Sequence, residues 1–280
     1  MLSRLRTPLR LGVKNLCRVG LLATMAAVAA GAACAAGGTR NVVLLDCYFN
    51  NEWRKNPGGE RVRYHYVWSD TTNSGYSQWA AIIEGAGCKI DTLCVPPTAE
   101  ALRQTWVYMI VDPDTRDETD CPHYIDDETI ETVTGWVKSG GVLILFGNDK
   151  GNAEFEHLNR LASGFGIRFN EDSRNRVSGK DFGAGTLDSL PDHPLFAGVR
   201  KIFIKELSTL QVREPAHVVL SQGGDTIMAF ARFGSGCVFA VGDPWFYNEY
   251  MDTRKLPAGY DNARAAENLV RWLLHECPGQ

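Results

Sequence analysis

The chain has 280 residues, 29 of them basic and 33 acidic, with a formal charge of −4. That balance, without a basic run beyond the first 36 residues, argues against nucleic acid as a partner. The 244 residues beyond position 36 carry 24 basic and 33 acidic residues, a formal −9, and suffice for one domain with a sizeable core.

The first segment reads as an export leader. Arg4, Arg6, Arg10, Lys14 and Arg18 precede the small, apolar stretch Val19 to Ala36. A basic region, an apolar region and small residues at the exit make a secretory signal peptide over residues 1–36. Ala33-Cys34-Ala35 fits cleavage after Ala35, which places the mature protein in the periplasm or outside the cell. A transmembrane anchor is the bland alternative, against which the run is short and rich in Ala and Gly. Cys34 faintly resembles a lipid-attachment cysteine, but Gly31 stands where Leu is expected.

Strand and helix patterns then alternate. Asn41 to Leu45 reads as a buried strand, Ser77 to Glu84 as a helix, Lys89 to Val95 as a strand and Ala99 to Gln104 as a short helix. Val107 to Val111 is a third strand, Asp127 to Lys138 a helix stopped by Gly140-Gly141, Val142 to Phe146 a fourth strand and Ala153 to Ser163 a helix. Apolar runs separated by helices imply βαβ units and a parallel sheet. Past Ile167–Phe169 the chain turns β-rich. Lys201 to Leu207, His217 to Leu220, Thr226 to Phe230 and Cys237 to Val241 read as short strands, with hairpin signals at Gly223-Gly224-Asp225 and Gly234-Ser235-Gly236. Asn262 to Leu274 closes the chain as an amphipathic helix. The expected class is α/β, one domain over residues 37–280, mainly parallel with a β-rich C-terminal extension.

Six cysteines lie beyond the leader and form no C-x-x-C pair, so zinc-ribbon and thioredoxin readings lack support. Cys88 and Cys94 flank an extended segment and are too far apart to bond each other. Cys47 and Cys237 sit in apolar runs and are expected as buried small hydrophobes. A bridge between more distant cysteines is open and unassigned.

Open α/β sheets bind ligands beyond the carboxyl ends of their strands. Four strands deliver polar residues there: Asp46, Tyr48, Asn50, Asn51 and Glu52; Asp112 and Asp114; Asn148, Asp149 and Lys150; and Asp243, Trp245, Tyr247, Asn248 and Glu249. Each has a bland alternative. Asp243-Pro244 reads as a helix cap followed by Pro at the first helical position, Asp112-Pro113-Asp114 as a turn, and Asp149 as a cap for the helix near Asn152. Glu154 and His157 share a helix face, but the partner motifs of a di-metal bundle are missing. The loop from Asn50 to Gly75 interleaves Trp53, Tyr64, His65, Tyr66 and Trp68 with Arg and Asn, a mixture suited to sugar faces and hydroxyls, or else a lid packed on the sheet. In the cluster Asn170 to Arg176, Arg174 could meet a substrate carboxylate, or the cluster could be a solvated turn.

Gly147-Asn148-Asp149-Lys150-Gly151 stands where class I glutamine amidotransferases, whose order of elements the chain resembles, carry their nucleophile elbow. No Cys occupies that turn, so the amidotransferase reaction is rejected. The strings LDCYFNNEW, RYHYVW, IVDPDT, GGVLILFGNDKGNAEFEHLN, FGIRFNEDSRNRV and VFAVGDPWFYNEY resemble an amidotransferase-like domain. That domain occurs alone, or fused to unsaturated rhamnogalacturonyl and glucuronyl hydrolases of glycoside hydrolase family 105. The resemblance implies a flavodoxin-like three-layer sandwich and a setting of pectin or acidic-glycan degradation, without supplying a catalytic residue list. The hydrolase family's own barrel is absent. More distant relatives include trehalose-utilisation-like proteins and a non-enzymatic module of ciliary transport proteins, so fold alone does not fix function.

Two functions remain open. One is an exported hydrolase of acidic or unsaturated oligosaccharides, which needs two carboxyl groups at the cleavage site. Asp149 is then the ionised partner, on the reasoning that it sits at a helix N-terminus, and Glu249 the acid, with Asp114 and His65 as further catalytic candidates. Tyr48, Asn51, Trp53, Tyr66, Trp68, Asn148, Lys150, Arg174, Asp243, Trp245 and Asn248 would bind substrate. The other is a non-catalytic carbohydrate-binding or scaffolding module using the same edge. No cofactor is expected; a divalent ion on Asp46, Asp112 and Asp243 is the weakest possibility. Oligosaccharide is the expected partner, and the oligomeric state is open.

Overall fold

The computed structural model describes residues 40–251 and 254–277. The leader, its cleavage point and Cys34 lie outside the described residues. Thirteen strands and five α-helices follow in order. They are β1 (Val42–Asp46), β2 (Trp53–Lys55), β3 (Arg61–Arg63), α1 (Ser77–Gly85), β4 (Lys89–Leu93), α2 (Ala99–Leu102), β5 (Thr105–Val111), α3 (Asp127–Lys138), β6 (Val142–Phe146), α4 (Phe155–Ser163), β7 (Ile167–Phe169), β8 (Thr186–Leu187), β9 (Ile202–Phe203), β10 (Leu210–Val212), β11 (Ala216–Gln222), β12 (Asp225–Phe233), β13 (Gly236–Val241) and α5 (Asn262–Glu276).

The main sheet runs β4-β1-β5-β6-β13-β12-β10-β7, with β11 also paired to β12. Its first five strands are parallel. Taken in chain order they read 2-1-3-4-5, the flavodoxin-like arrangement. The remaining pairings are antiparallel. Parallel strands covered on both faces read as continuous apolar runs, and all residues of β5, β6 and β13 are buried. Alternate residues feed two cores. Val107, Met109, Ile144 and Phe239 face one side with Trp79 and Ile83 of α1 and Leu269 and Leu273 of α5. Tyr108, Ile110, Leu145 and Val238 face the other with Val133 and Val137 of α3 and Leu158 and Leu161 of α4. Fully burying one such Leu or Phe contributes about 1.5–3 kcal/mol.

Several expectations change. Cys47 bonds Cys94, joining the ends of the neighbouring strands β1 and β4, and Cys237 bonds Cys277, tying β13 to the end of α5. Both cysteines expected as plain hydrophobes are therefore cross-linked, and Cys88 and Cys121 are free. The strand expected over Lys201 to Leu207 shrinks to Ile202–Phe203, because Asn262 captures Phe203 through its N–H and C=O at 2.8 and 2.9 Å. This short strand pairs with β8 in a separate two-stranded sheet, and the chain turns away at Glu206, φ +48°. The hairpin at Gly223-Gly224 forms as expected, both residues at positive φ (+60° and +92°), as its two-residue turn requires. Among the described residues no helix is long and apolar enough to cross a membrane.

Candidate functional site

Three parallel strands end in register. Val111 of β5 pairs with Phe146 of β6, which pairs with Val241 of β13. Asp112, Asn148 and Asp243 follow within two residues and line one cavity of about 430 Å³. Asn148 stands between the two aspartates, whose backbones lie roughly 10 Å apart by two strand spacings. Loops complete the walls: Tyr64, His65 and Tyr66 after β3; Glu118 after β5; Lys205 and Glu206 after β9; Tyr247, Glu249 and Lys255 after β13.

Asp112 is the most constrained of these. It holds φ at +47°, a region costly for most residues with a side chain. Its N–H donates to the Phe146 carbonyl at 2.8 Å, and its own carbonyl accepts from the Asn50 amide at 3.0 Å. The carboxyl is buried; Oδ2 accepts from Asn148 Nδ2 at 3.0 Å, and Oδ1 has no partner. Burial, reinforced by the nearby Glu118, pushes this carboxyl well above the usual range. Asp243 is also buried, and no hydrogen bond to its carboxyl is made among the described residues. Burial raises it too, opposed by the Lys205 ammonium. Gly242 makes this turn possible, since a Cβ there would lie 1.7 Å from the Ser208 carbonyl. No regular helix follows Asp243-Pro244, so the expected capping role does not hold. Tyr76 instead pins the Pro244 carbonyl at 2.6 Å. Burial lifts Glu118 to about 7, against its bonds from Thr115.

The expected site residues divide into several groups. His65, Tyr66, Asn148, Asp243 and Glu249 line the cavity. His65 faces Glu52 at 2.5 Å, and Glu249 is ion-paired with Lys255. Asp149 is absent from the lining. Its Oδ1 accepts from Asn152 at 2.6 Å and its Oδ2 from the Ser173 hydroxyl at 2.5 Å. It is not at a helix N-terminus either, because α4 starts at Phe155 and is capped by Glu154. Asp114 is absent from the lining; it accepts from the Asn51 N–H at 2.7 Å, and burial raises it to about 7. Lys150 is exposed, its N–H bonded to the Asp172 carbonyl. The Arg174 guanidinium is matched to Asp225 at 2.9 Å and Asp172 at 3.3 Å, and bridges this loop to β12 instead of meeting the cavity.

Others of the set build the fold. Trp245 is buried and stacks on Phe246 at 3.9 Å. Asn248 is buried; its amide donates to the Asp70 and Thr72 carbonyls at 2.9 and 2.8 Å, and its oxygen accepts from Gln78 N–H at 3.0 Å. It clamps the long loop to α1 and has no free group for a sugar. Trp68 packs in the core against Trp79 and also borders a second cavity of about 300 Å³ with the Cys47–Cys94 bridge. Tyr48 stacks on His123 at 3.9 Å; Asn51 accepts from Trp53 at 3.0 Å; Trp53 is half-exposed between Arg61 and Arg63. These three stand outside the rim cavity.

An ion on Asp46, Asp112 and Asp243 does not fit. Asp46 borders the second cavity, and its oxygens accept from Tyr108 at 2.6 Å and from the N–H groups of Phe49 and Tyr48 at 2.7 and 3.1 Å. Among the described residues, the carboxylate and histidine atoms near enough together for a metal are those of Glu154, the cap of α4, and of Glu156 and His157 in its first turn. Glu118, Lys205, Glu206 and Lys255 escaped the sequence reading, since they sit in loops without a strand-end signal. Asp112 carried that signal, as the first residue beyond its strand.

No family model matches the sequence, and no curated protein does. Solved structures do resemble it. The mmIFT52 N-terminal domain aligns at a TM-score of 0.63 and 20% identity, over 83% of this chain and 96% of that one. A cytoplasmic protein from Salmonella typhimurium aligns at 0.54 and 17%, over 83% and 98%. Both support the α/β fold and say nothing of activity. A putative ThuA-like protein from Bacteroides uniformis aligns at 0.45 and 14%, over 85% and 93%. Glycoside hydrolases also align, among them an exo-β-1,4-mannosidase from an Opitutaceae bacterium, at 0.44 and 15% and over 36% of its chain. At these lower scores the likeness carries no argument.

Proposed function

We propose that this chain is an exported carbohydrate-active hydrolase whose saccharide sits in the rim cavity between Asp112 and Asp243. The carrying observation is the pair itself: two buried carboxyl groups on the in-register strands β5 and β13, facing one cavity. Backbones roughly 10 Å apart across two strand spacings, with both residues lining one cavity, are compatible with the ~5–9.5 Å carboxyl separation of glycosidic cleavage. Asp112, pressed by burial and Glu118, keeps its proton and serves as acid. Burial raises Asp243 as well, against the pull of Lys205, and it is assigned as the partner of that acid. Asn148 and Asn152 supply amides for hydroxyls, and Tyr66 and Tyr247 supply ring faces.

Export is supported by the leader pattern and by two disulfides, which persist in oxidising compartments. The plant-polysaccharide setting rests on sequence resemblance. An acidic sugar would meet Lys205 and Lys255 in the cavity, and each already has a carboxylate partner. The test is a panel of neutral, acidic and amino oligosaccharides, with calorimetry and product analysis on the same samples. Cleavage lost in Asp112→Asn and Asp243→Asn supports the assignment. Binding without cleavage assigns the chain to the non-catalytic sugar-binding alternative.

A further inference from the structure

The rim cavity is unbalanced in charge. Its two lysines are each matched by a carboxylate: Lys205 meets Glu206 at 2.6 Å, and Lys255 meets Glu249. His65 faces Glu52. Asp112, Asp243 and Glu118 remain, and no ion pair reaches them among the described residues. Asp112 is 3% exposed and keeps Oδ1 without a partner. Glu118 receives both of its bonds, from the Thr115 N–H and hydroxyl, on Oε2 at 2.8 and 2.9 Å, leaving Oε1 available. Aromatic faces attract cations, and Tyr66 and Tyr247 stand here with ring centroids 6.0 Å apart. A single metal ion is a poor match, because no three acidic atoms of this set lie within 4.8 Å of one another. An ammonium on a sugar ring is a better one. It offers three donors, needs no close-packed ligand shell, and brings hydroxyls for Asn148 and Asn152.

We infer that the saccharide held in this cavity carries a protonated amino group, which Glu118 receives at Oε1 beside the tyrosine wall. This deepens the proposed function and rests on it. A cation there meets the cavity acid that is neither ion-paired nor assigned to bond cleavage, and leaves Asp112 and Asp243 for the glycosidic bond. A uronate would instead bring a further carboxyl group into a cavity whose lysines are already paired.

The experiment is calorimetric titration of the mature protein with 1,4-linked disaccharides of glucosamine, glucose, N-acetylglucosamine and galacturonate, and with putrescine and calcium as further arms. Glucosamine disaccharide binding about ten-fold or more tighter than its glucose counterpart is expected, as is loss of that preference in Glu118→Gln with glucose binding unchanged. Asp112→Asn, whose new side chain tolerates the same positive φ, serves as the second variant. It is expected to keep the amine preference. Glucose or galacturonate disaccharide binding as tightly as the amine overturns the inference while leaving the saccharide reading intact. Putrescine matching the disaccharide, or calcium displacing it, overturns it in favour of a plain amine or a metal. Binding of none of the saccharides removes both readings together.

Discussion

The turns after β5 and β6 leave neighbouring strands at the same edge of the sheet, and both carry buried aspartates, yet Asp112 keeps an unpaired carboxyl oxygen and Asp149 does not. Asp149, after β6, has its two oxygens bonded to Asn152 and Ser173. Asp112, after β5, gives one oxygen to Asn148 and leaves the other buried without a partner. Asp46, at the end of β1, matches Asp149: its bonds go to Tyr108 and two backbone N–H groups. Position at a strand end brings a carboxylate to the rim. Whether it is available for chemistry is decided by donors far away in sequence, here 24 residues distant for Ser173 and 62 for Tyr108.

The contrast between the two turns yields graded outcomes. Asp112→Asn and Asp243→Asn should each lower turnover by about 10²–10⁴-fold, the usual share of a general acid or base, with secondary structure by circular dichroism unchanged. An unaltered rate in Asp112→Asn would erase the distinction between the turns. Asp46→Ala should act on stability instead. It strands a buried Tyr108 hydroxyl and two N–H groups, for a loss of about 2–4 kcal/mol in urea unfolding. Asp149→Ala should cost about 1–3 kcal/mol by the same measurement, with turnover of the folded fraction within about two-fold of the parent. A collapse of turnover in folded Asp149→Ala would return the catalytic role to the β6 turn.

Acidity gives a subtler test. Burial raises Asp46 to about 6 and Asp114 and Glu118 to about 7. A carboxyl that is a weaker acid when folded holds its proton more firmly in the native state. Its contribution to stability is therefore complete below about pH 4 and is lost as pH rises toward 7. The double variant Asp114→Asn/Glu118→Gln should flatten the fall in unfolding midpoint between pH 4.5 and 7.5 relative to the parent. Equal slopes would deny that these groups are protonated in the fold. Trp53→Ala, outside the cavity and half-exposed, should shift stability and saccharide affinity by no more than about 0.5 kcal/mol.

Much of the fold was legible in the sequence. VVLL, VYMIV and VLILF announce buried parallel strands because their residues serve two cores, and Asp127–Lys138 and Val142–Phe146 fall where the pattern places them. The β2–β3 hairpin was not legible: WRK and RVR carry no apolar alternation, being held by Arg–Trp stacking and backbone pairing. Nor were the disulfides, since a cysteine in an apolar run looks the same free or bonded. At the site, the convergence of β5, β6 and β13 could be read from strand order. The pairing of both Asp149 oxygens, the unpaired oxygen of Asp112 and the burial of Asn248 as a clamp depended on partners that sequence spacing does not show.

The most direct test of the Asp112–Asp243 cavity as the saccharide site is a crystal structure of the protein with a bound oligosaccharide. The ring should lie between the two carboxyl groups, with Asp112 Oδ1 within hydrogen-bond distance of a sugar oxygen and Asn148 beneath it. Density for the sugar against Trp53 or in the Trp68 cavity, with Asp112 Oδ1 still bare, would contradict this.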